Sequence, residues 1–96
     1  MRLKEIEIVS IKKSTNLIFG KNSKVYLFGS RVDDNKKGGD IDLYIIPGIK
    51  DNIYQKKFNF LVKLEQEIGM QKIDVIMAKD KNRLIEKEAI STGILL

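Results

Sequence analysis

The sequence predicts an α/β (α+β) fold in which helices pack on a small mixed three-stranded β-sheet, in the order α-β-β-α-β-α. Short apolar runs bounded by Gly, Pro or Asp indicate strands, and longer stretches with apolar residues at i, i+3 and i+4 indicate helices. One helical stretch lies between two strands, an order that favours parallel pairing through a right-handed crossover. The first two strands are joined by about eleven residues without a helix, which favours antiparallel pairing.

The first half of the chain contains one predicted helix and two predicted strands. Residues 3–19 form the helix, and Gly20 is expected to end it. Residues 25–28 and 40–46 form the strands, separated by a polar loop at 33–39. The helix positions expected to face the core are Leu3, Ile6, Val9 or Ile11, Leu17 and Ile18.

The second half contains two predicted helices on either side of a third strand. Residues 51–52 are expected to cap a helix that Gly69 ends. Residues 72–78 form the strand, and a last helix starts at residue 80 or 82 and ends at residue 90. The core positions predicted for the middle helix are Tyr54, Phe58, Leu61, Leu64 and Ile68.

The composition limits the chemistry. The 96 residues are expected to form a single domain, 1–96, with one modest core. The sequence contains no cysteine and no histidine, which excludes disulfides, zinc sites built on these residues and catalytic triads based on histidine. Asp, Glu, Lys, Tyr and backbone groups therefore carry any chemistry. The net charge of +5 attracts phosphates, nucleic acid or an acidic protein without distinguishing among them.

The N-terminal segment indicates where in the cell the protein is expected. Residues 1–7 carry early acidic side chains and no unbroken apolar stretch, so they have the pattern of neither a secretory signal nor a membrane span. We expect a cytoplasmic protein that makes no membrane contact.

Two carboxylates open the second predicted strand. Asp40 and Asp42 are spaced i and i+2, so in a strand their side chains leave the same face and repel each other. A divalent metal with oxygen ligands is the simplest partner for such a pair. Asp74 in the third strand repeats the local pattern, and parallel pairing would add it to the cluster. The alternative is that Asp74 is a lone surface carboxylate on an edge strand.

A small-residue turn precedes the carboxylate pair. The first predicted strand is followed by Gly29-Ser30-Arg31, and Arg31 lies nine residues before Asp40. Taken alone, Gly-Ser is an ordinary turn at a strand end. With Asp40-Ile41-Asp42 after it and Asp74 on a later strand, the combination resembles the nucleotidyltransferase superfamily typified by DNA polymerase β and kanamycin nucleotidyltransferase. The short chain and its ending are similar to the minimal nucleotidyltransferase (MNT) group, antitoxins often encoded beside a HEPN-domain protein.

The resemblance implies a Mg²⁺-dependent nucleotidyltransferase fold and activity, with ATP as the substrate. The catalytic residues and the ligands of two Mg²⁺ ions would be Asp40, Asp42 and Asp74. The nucleotide phosphates would be bound by Gly29, Ser30 and Arg31. Lys36 and Lys37 in the intervening loop are expected either to be solvated or to meet phosphate.

The resemblance also implies partners. AMP would pass to a tyrosine hydroxyl of a HEPN-domain toxin, and direct nucleic-acid binding is not expected. Homo- and hetero-oligomers are both compatible with the sequence. Two alternatives stay open: a non-catalytic antitoxin that acts by forming a complex, and, less favoured, transfer to a small molecule or an RNA end, reactions whose enzymes normally carry an extra domain.

Overall fold

The structure is a computed structural model that describes residues 1–36 and 38–96, and in these residues three α-helices surround one β-sheet. The helices are α1 (Glu5–Phe19), α2 (Ile53–Ile68) and α3 (Leu84–Thr92). The strands are β1 (Lys24–Phe28), β2 (Ile41–Ile46), β3 (Ile73–Met77) and β4 (Ile94–Leu95), and a 3₁₀ helix, Gly29–Val32, follows β1. Within the described ranges, no helix is both long and apolar enough to cross a membrane.

The sheet has the strand order β3-β2-β1-β4. As predicted, β1 pairs antiparallel with β2, and β2 pairs parallel with β3 across the α2 crossover. The prediction of three strands is wrong by one, because β4 pairs antiparallel with β1 through Ile94 and Leu95. A strand of two residues is too short to show an alternation of apolar and polar positions, so the sequence pattern could not reveal it.

The two faces of the sheet are covered by different helices. On one face, Ile41, Leu43 and Ile45 of β2 are fully buried in the core formed with α1 and α2. On the other face, Tyr44 packs in a smaller apolar cluster with Phe28 and Ala89 of α3. Because successive side chains of a strand alternate, Asp42 lies on the α3 side with Tyr44.

The apolar stripe predicted for α1 is correct in part, because Ile11 is fully buried and Leu3 and Ile18 pack against the core. Ile6, Val9 and Leu17 are exposed, whereas the residues that α1 buries are Glu7, Ser10, Ile11, Ser14, Thr15 and Phe19. Small hydroxyl side chains allow close helix contact, and Thr15 satisfies its hydroxyl by donating to the carbonyl of Ile11 at 2.7 Å. Because four of the six buried residues of α1 are polar, the hydrophobic periodicity of this helix is weak.

The core face predicted for α2 is correct in the second half of the helix and wrong in the first. Leu64 is fully buried and Leu61 and Ile68 pack against the core, as predicted, whereas Tyr54 and Phe58 are 72% and 62% exposed. Phe60, which was not predicted, is fully buried, and its ring lies 5.7 Å from that of Phe19. The helix ends are closer to prediction, since α1 and α2 end at Gly20 and Gly69, both with positive φ. The last helix begins later than predicted, because the Asp80 carboxylate accepts the Asn82 N–H and forms a turn before α3.

Candidate active site

The parallel register of β2 and β3 brings two of the predicted carboxylates together. Asp42 is the direct neighbour of Asp74 across the two strands, so both side chains leave the sheet on the face that α3 covers. On its other side, Asp42 pairs with Phe28 at the end of β1. Asp42 is half-buried and Asp74 is exposed. The sequence argument that parallel pairing would align these two aspartates is therefore confirmed by the register.

The position of Asp42 is electrostatically unfavourable for a carboxylate. Burial raises the pKa of Asp42 above its ordinary value of 3.8, and the negative charges of Asp74 and Asp40 raise it further, while the Lys72 ammonium partly offsets the rise. Three like charges around one position lower the stability of the metal-free fold. A cation bound between them would remove this repulsion.

Asp40 lies just before β2 and is engaged by a lysine. Its Oδ2 is 3.4 Å from the Nζ of Lys72, and both side chains remain partly exposed, at 41% and 72%. Lys72 directly precedes β3, so the two residues face each other one step before the paired positions Ile41 and Ile73. Sequence reasoning missed Lys72, although its spacing of two before Asp74 places it on the same face in an extended chain.

The predicted Gly-Ser turn is the 3₁₀ helix after β1. Gly29 has φ +76°, and a Cβ added there would overlap the Oδ2 of Asp42, so only glycine fits between the turn and the carboxylate. A Cβ at Gly39 would likewise overlap the Oγ of Ser30. Gly29 is therefore packed against the Asp42 carboxylate, and Ser30 is packed against Gly39 of the loop that precedes β2.

Arg31 braces this loop in the structure. Its Nε donates to the carbonyl of Gly39 at 3.1 Å, and its Nη1 donates to the carbonyl of Arg2 at 2.9 Å. The phosphate-binding role predicted for Arg31 stays a prediction. Lys36 is exposed, and Lys37 lies outside the described residues.

Arg2, near the N-terminus, also stabilises this loop, and it was not predicted from the sequence. Its Nη2 donates to the carbonyl of Ser30 and its Nε to that of Asp33, both at 2.9 Å, and its backbone N–H donates to the carbonyl of Arg31 at 2.7 Å. Arg2 and Arg31 thus hold each other's backbone and the turn between them. No local pattern signals such a contact, because the partners are separated by 28 to 31 residues.

An open cleft of about 500 Å³ adjoins the two paired aspartates. Phe28, Ile76 and Ile85 line it on the α3 side, and Lys57, Leu61, Ile73 and Val75 line it around the edge of β3. The lining therefore combines two carboxylates, several apolar side chains and one lysine. Such a mixture suits a ligand that carries both phosphates and an apolar group.

Tyr44, which shares the face of the aspartates, does not line this cleft. It is 1% exposed, and its hydroxyl donates to the Oε1 of Glu86 at 2.7 Å. Glu86 is fully buried and also accepts the backbone N–H groups of Lys79 and Asp80. Glu86 was not found from the sequence, where it is one of several charged residues in a short helix.

The donor set of the site is suited to a hard divalent cation. Carboxylate oxygens are the ligands that Mg²⁺ prefers, and the close approach of Gly29 to Asp42 leaves the carboxylate accessible rather than covered by a side chain. Across residues 1–36 and 38–96, no three acidic, histidine or cysteine side chains already converge with the geometry of a metal site. Asp40, the third predicted ligand, is paired with Lys72.

A mixed sheet with paired aspartates on neighbouring strands, beside a glycine turn, defines a nucleotidyltransferase-like domain. The model of the family described as "Polymerase beta, Nucleotidyltransferase" matches residues 7–96. The chain therefore belongs to the polymerase beta nucleotidyltransferase family. No match to a curated protein was found.

Proposed function

We propose that this protein is a Mg²⁺-dependent nucleotidyltransferase that transfers AMP from ATP to a hydroxyl group of a partner protein. The observation that carries the proposal is the register of Asp42 against Asp74, with Gly29 packed on Asp42. The proposed partner is a HEPN-domain toxin, which would make this chain an MNT antitoxin. That assignment rests on the resemblance of the motifs and of the short chain to the MNT group.

The residues of the site have distinct roles in this reaction. Asp40, Asp42 and Asp74 would hold Mg²⁺, which when bound neutralises the charge on the phosphates and on the attacking oxygen. The Gly29-Ser30 turn presents backbone N–H groups and a hydroxyl beside this cluster, where they would bind the β- and γ-phosphates. Arg2 and Arg31 hold that turn in place through its backbone.

The transfer itself is a displacement at the α-phosphorus. The acceptor oxygen forms a bond to the α-phosphorus, the bond from that phosphorus to the bridging oxygen breaks, and pyrophosphate leaves with the electron pair. The hydroxyl proton passes to a carboxylate, for which Asp74 is the proposed acceptor. Asp74 is exposed at the outer strand β3, where a large acceptor can approach.

The experiment is label transfer from α-phosphate-labelled ATP with Mg²⁺ to the protein that co-purifies with this chain. We expect Asp40→Asn/Asp42→Asn to reduce labelling at least about a hundredfold, because metal-ligand carboxylates contribute several kcal/mol to the transition state. Asp51→Asn is the matched control, since Asp51 is an exposed aspartate beyond the opposite end of β2. Equal labelling by all three proteins would contradict the assignment of the carboxylates.

A non-catalytic antitoxin is a second candidate, favoured by the contact between Asp40 and Lys72. If this contact persists in the presence of Mg²⁺, the chain would act only by forming a complex with its partner. A tight, inhibitory complex that transfers no label from any nucleotide would identify this function.

A further inference from the structure

Lys72 places a positive charge at the edge of the acidic cluster, beside Asp40. Its Nζ is 3.4 Å from the Oδ2 of Asp40, and it is the one positive charge that counteracts the effect of Asp74 and Asp40 on Asp42 among the described residues. The ammonium therefore lies where a cation relieves the repulsion of the carboxylates. A divalent metal would require the same oxygen atoms.

The contact is weak enough to be exchanged. Both side chains are partly exposed, and solvent-exposed ion pairs stabilise proteins only slightly. The flexible stem of lysine can carry the ammonium away from Asp40 without moving β3, since the Lys72 side chain is 72% exposed.

We propose that Lys72 is an internal counter-cation of the site, and that its ammonium and a divalent metal ion compete for Asp40. This inference rests on the proposed function insofar as the three aspartates bind metal. It adds a control on metal affinity: Lys72 sets the metal concentration at which Asp40 leaves the lysine and joins Asp42 and Asp74. The ion pair between Lys72 and Asp40, which on its own favours a non-catalytic antitoxin, is then the metal-free state of an equilibrium that metal binding shifts.

The test is Mn²⁺ affinity of the full chain without nucleotide, measured by the electron paramagnetic resonance of free Mn²⁺. We expect Lys72→Met to bind Mn²⁺ about fivefold more tightly than wild type, the upper end of what an exposed ion pair contributes. Lys72→Arg, which keeps the charge, should bind at least as weakly as wild type. Unchanged or weaker binding by Lys72→Met would overturn the proposal.

Two further variants separate direct competition from a general effect of charge. Lys57→Met removes a lysine that lines the cleft beside Asp42 and Asp74 and forms no ion pair in the described part of the chain, and it should change the affinity less than about twofold. In an Asp40→Asn background, Lys72→Met should lose its effect, because the pair is already broken. Equal tightening by Lys57→Met, or an undiminished effect without Asp40, would overturn the competition.

The same measurement distinguishes this inference from the proposed function. If wild type binds Mn²⁺ and Asp42→Asn abolishes binding, the metal site stands whatever Lys72 does. If wild type binds no Mn²⁺, both the metal site and the competition are wrong. Circular dichroism of each variant confirms that it is folded.

Discussion

Two carboxylates on the α3 side of the sheet show opposite electrostatic behaviour. Glu86 is fully buried, yet the hydrogen bonds from Asp80, Tyr44 and Lys79 and the charge of Arg83 outweigh the effect of burial, so that its pKa lies below the ordinary value. Asp42 is only half-buried, yet its pKa is raised. The difference lies in the neighbours, because Glu86 meets N–H and O–H donors and Asp42 meets other carboxylates.

This comparison separates a carboxylate that stabilises the fold from one that belongs to the proposed metal site. Glu86 ties α3 to β2 through Tyr44 and to the end of β3 through backbone N–H groups at 2.9 to 3.1 Å. Within residues 1–36 and 38–96, no hydrogen bond to the Asp42 carboxylate is found, and the charges of Asp74 and Asp40 raise its pKa in addition to burial. A site that destabilises the fold in this way is typical of function, since residues selected for stability alone would not produce it.

The largest effect on stability is expected at Glu86. Glu86→Ala leaves the buried Tyr44 hydroxyl and two partly buried backbone N–H groups without an acceptor, which should lower the free energy of unfolding by about 2–4 kcal/mol. Urea denaturation at neutral pH measures the loss. Glu88→Ala, an exposed glutamate of the same helix, is the control and should change stability by less than about 0.5 kcal/mol.

The pH dependence of this loss follows from the sign of the shift. A carboxyl with a depressed pKa in the folded protein stabilises the fold above its ordinary value, here 4.5, and the contribution is lost as the pH falls through the depressed pKa. The stabilities of wild type and Glu86→Ala should therefore converge in acid. A gap that stays constant down to the acid transition would contradict a charged Glu86.

A smaller loss of stability is expected at the turn beside Asp42. Gly29→Ala forces φ +76° on a residue with a side chain and places a methyl group against the Asp42 carboxylate, at a combined cost of about 1–3 kcal/mol. Gly69→Ala is a matched control, because Gly69 has φ +85° and nothing within 4 Å of an added Cβ. The difference between the two variants in urea denaturation isolates the overlap with Asp42, and equal losses would mean that the carboxylate moves aside freely.

The sequence predicted the surroundings of Asp42 better than those of Glu86, because sequence patterns report contacts between residues that are close in the chain better than contacts between distant ones. The strands carrying Asp42 and Asp74, and their parallel pairing, followed from short apolar runs and the crossover order, which are local patterns. The contacts of Glu86 and Arg2 did not, because their partners are distant in sequence or are backbone groups that any residue offers. The exposed Tyr54 and Phe58 show the converse, since apolar spacing on a helix does not reveal which side the sheet will cover.

The smallest predicted effect on stability has the opposite sign and tests the comparison most directly. Asp42→Asn removes one of the two like charges that Asp42 and Asp74 place in register. In buffer that contains a metal chelator, it should therefore raise the free energy of unfolding by about 0.2–1 kcal/mol, as expected for a repulsive cross-strand pair. Because the pKa of Asp42 is raised, its destabilising effect begins as the pH rises past the ordinary value of 3.8 and is complete above the raised pKa, so the advantage of the variant should vanish below 3.8.

Mg²⁺ should then reverse the order of the two proteins. A ligand that binds the folded state stabilises it, so saturating Mg²⁺ should raise the melting temperature of wild type and leave that of Asp42→Asn unchanged. Thermal denaturation with and without Mg²⁺ measures both. If Asp42→Asn is less stable than wild type in buffer with a metal chelator, Asp42 stabilises the fold as Glu86 does. The distinction drawn between these two carboxylates would then be wrong. A reversal on adding Mg²⁺ would instead show that the repulsion around Asp42 is the cost of holding a cation there.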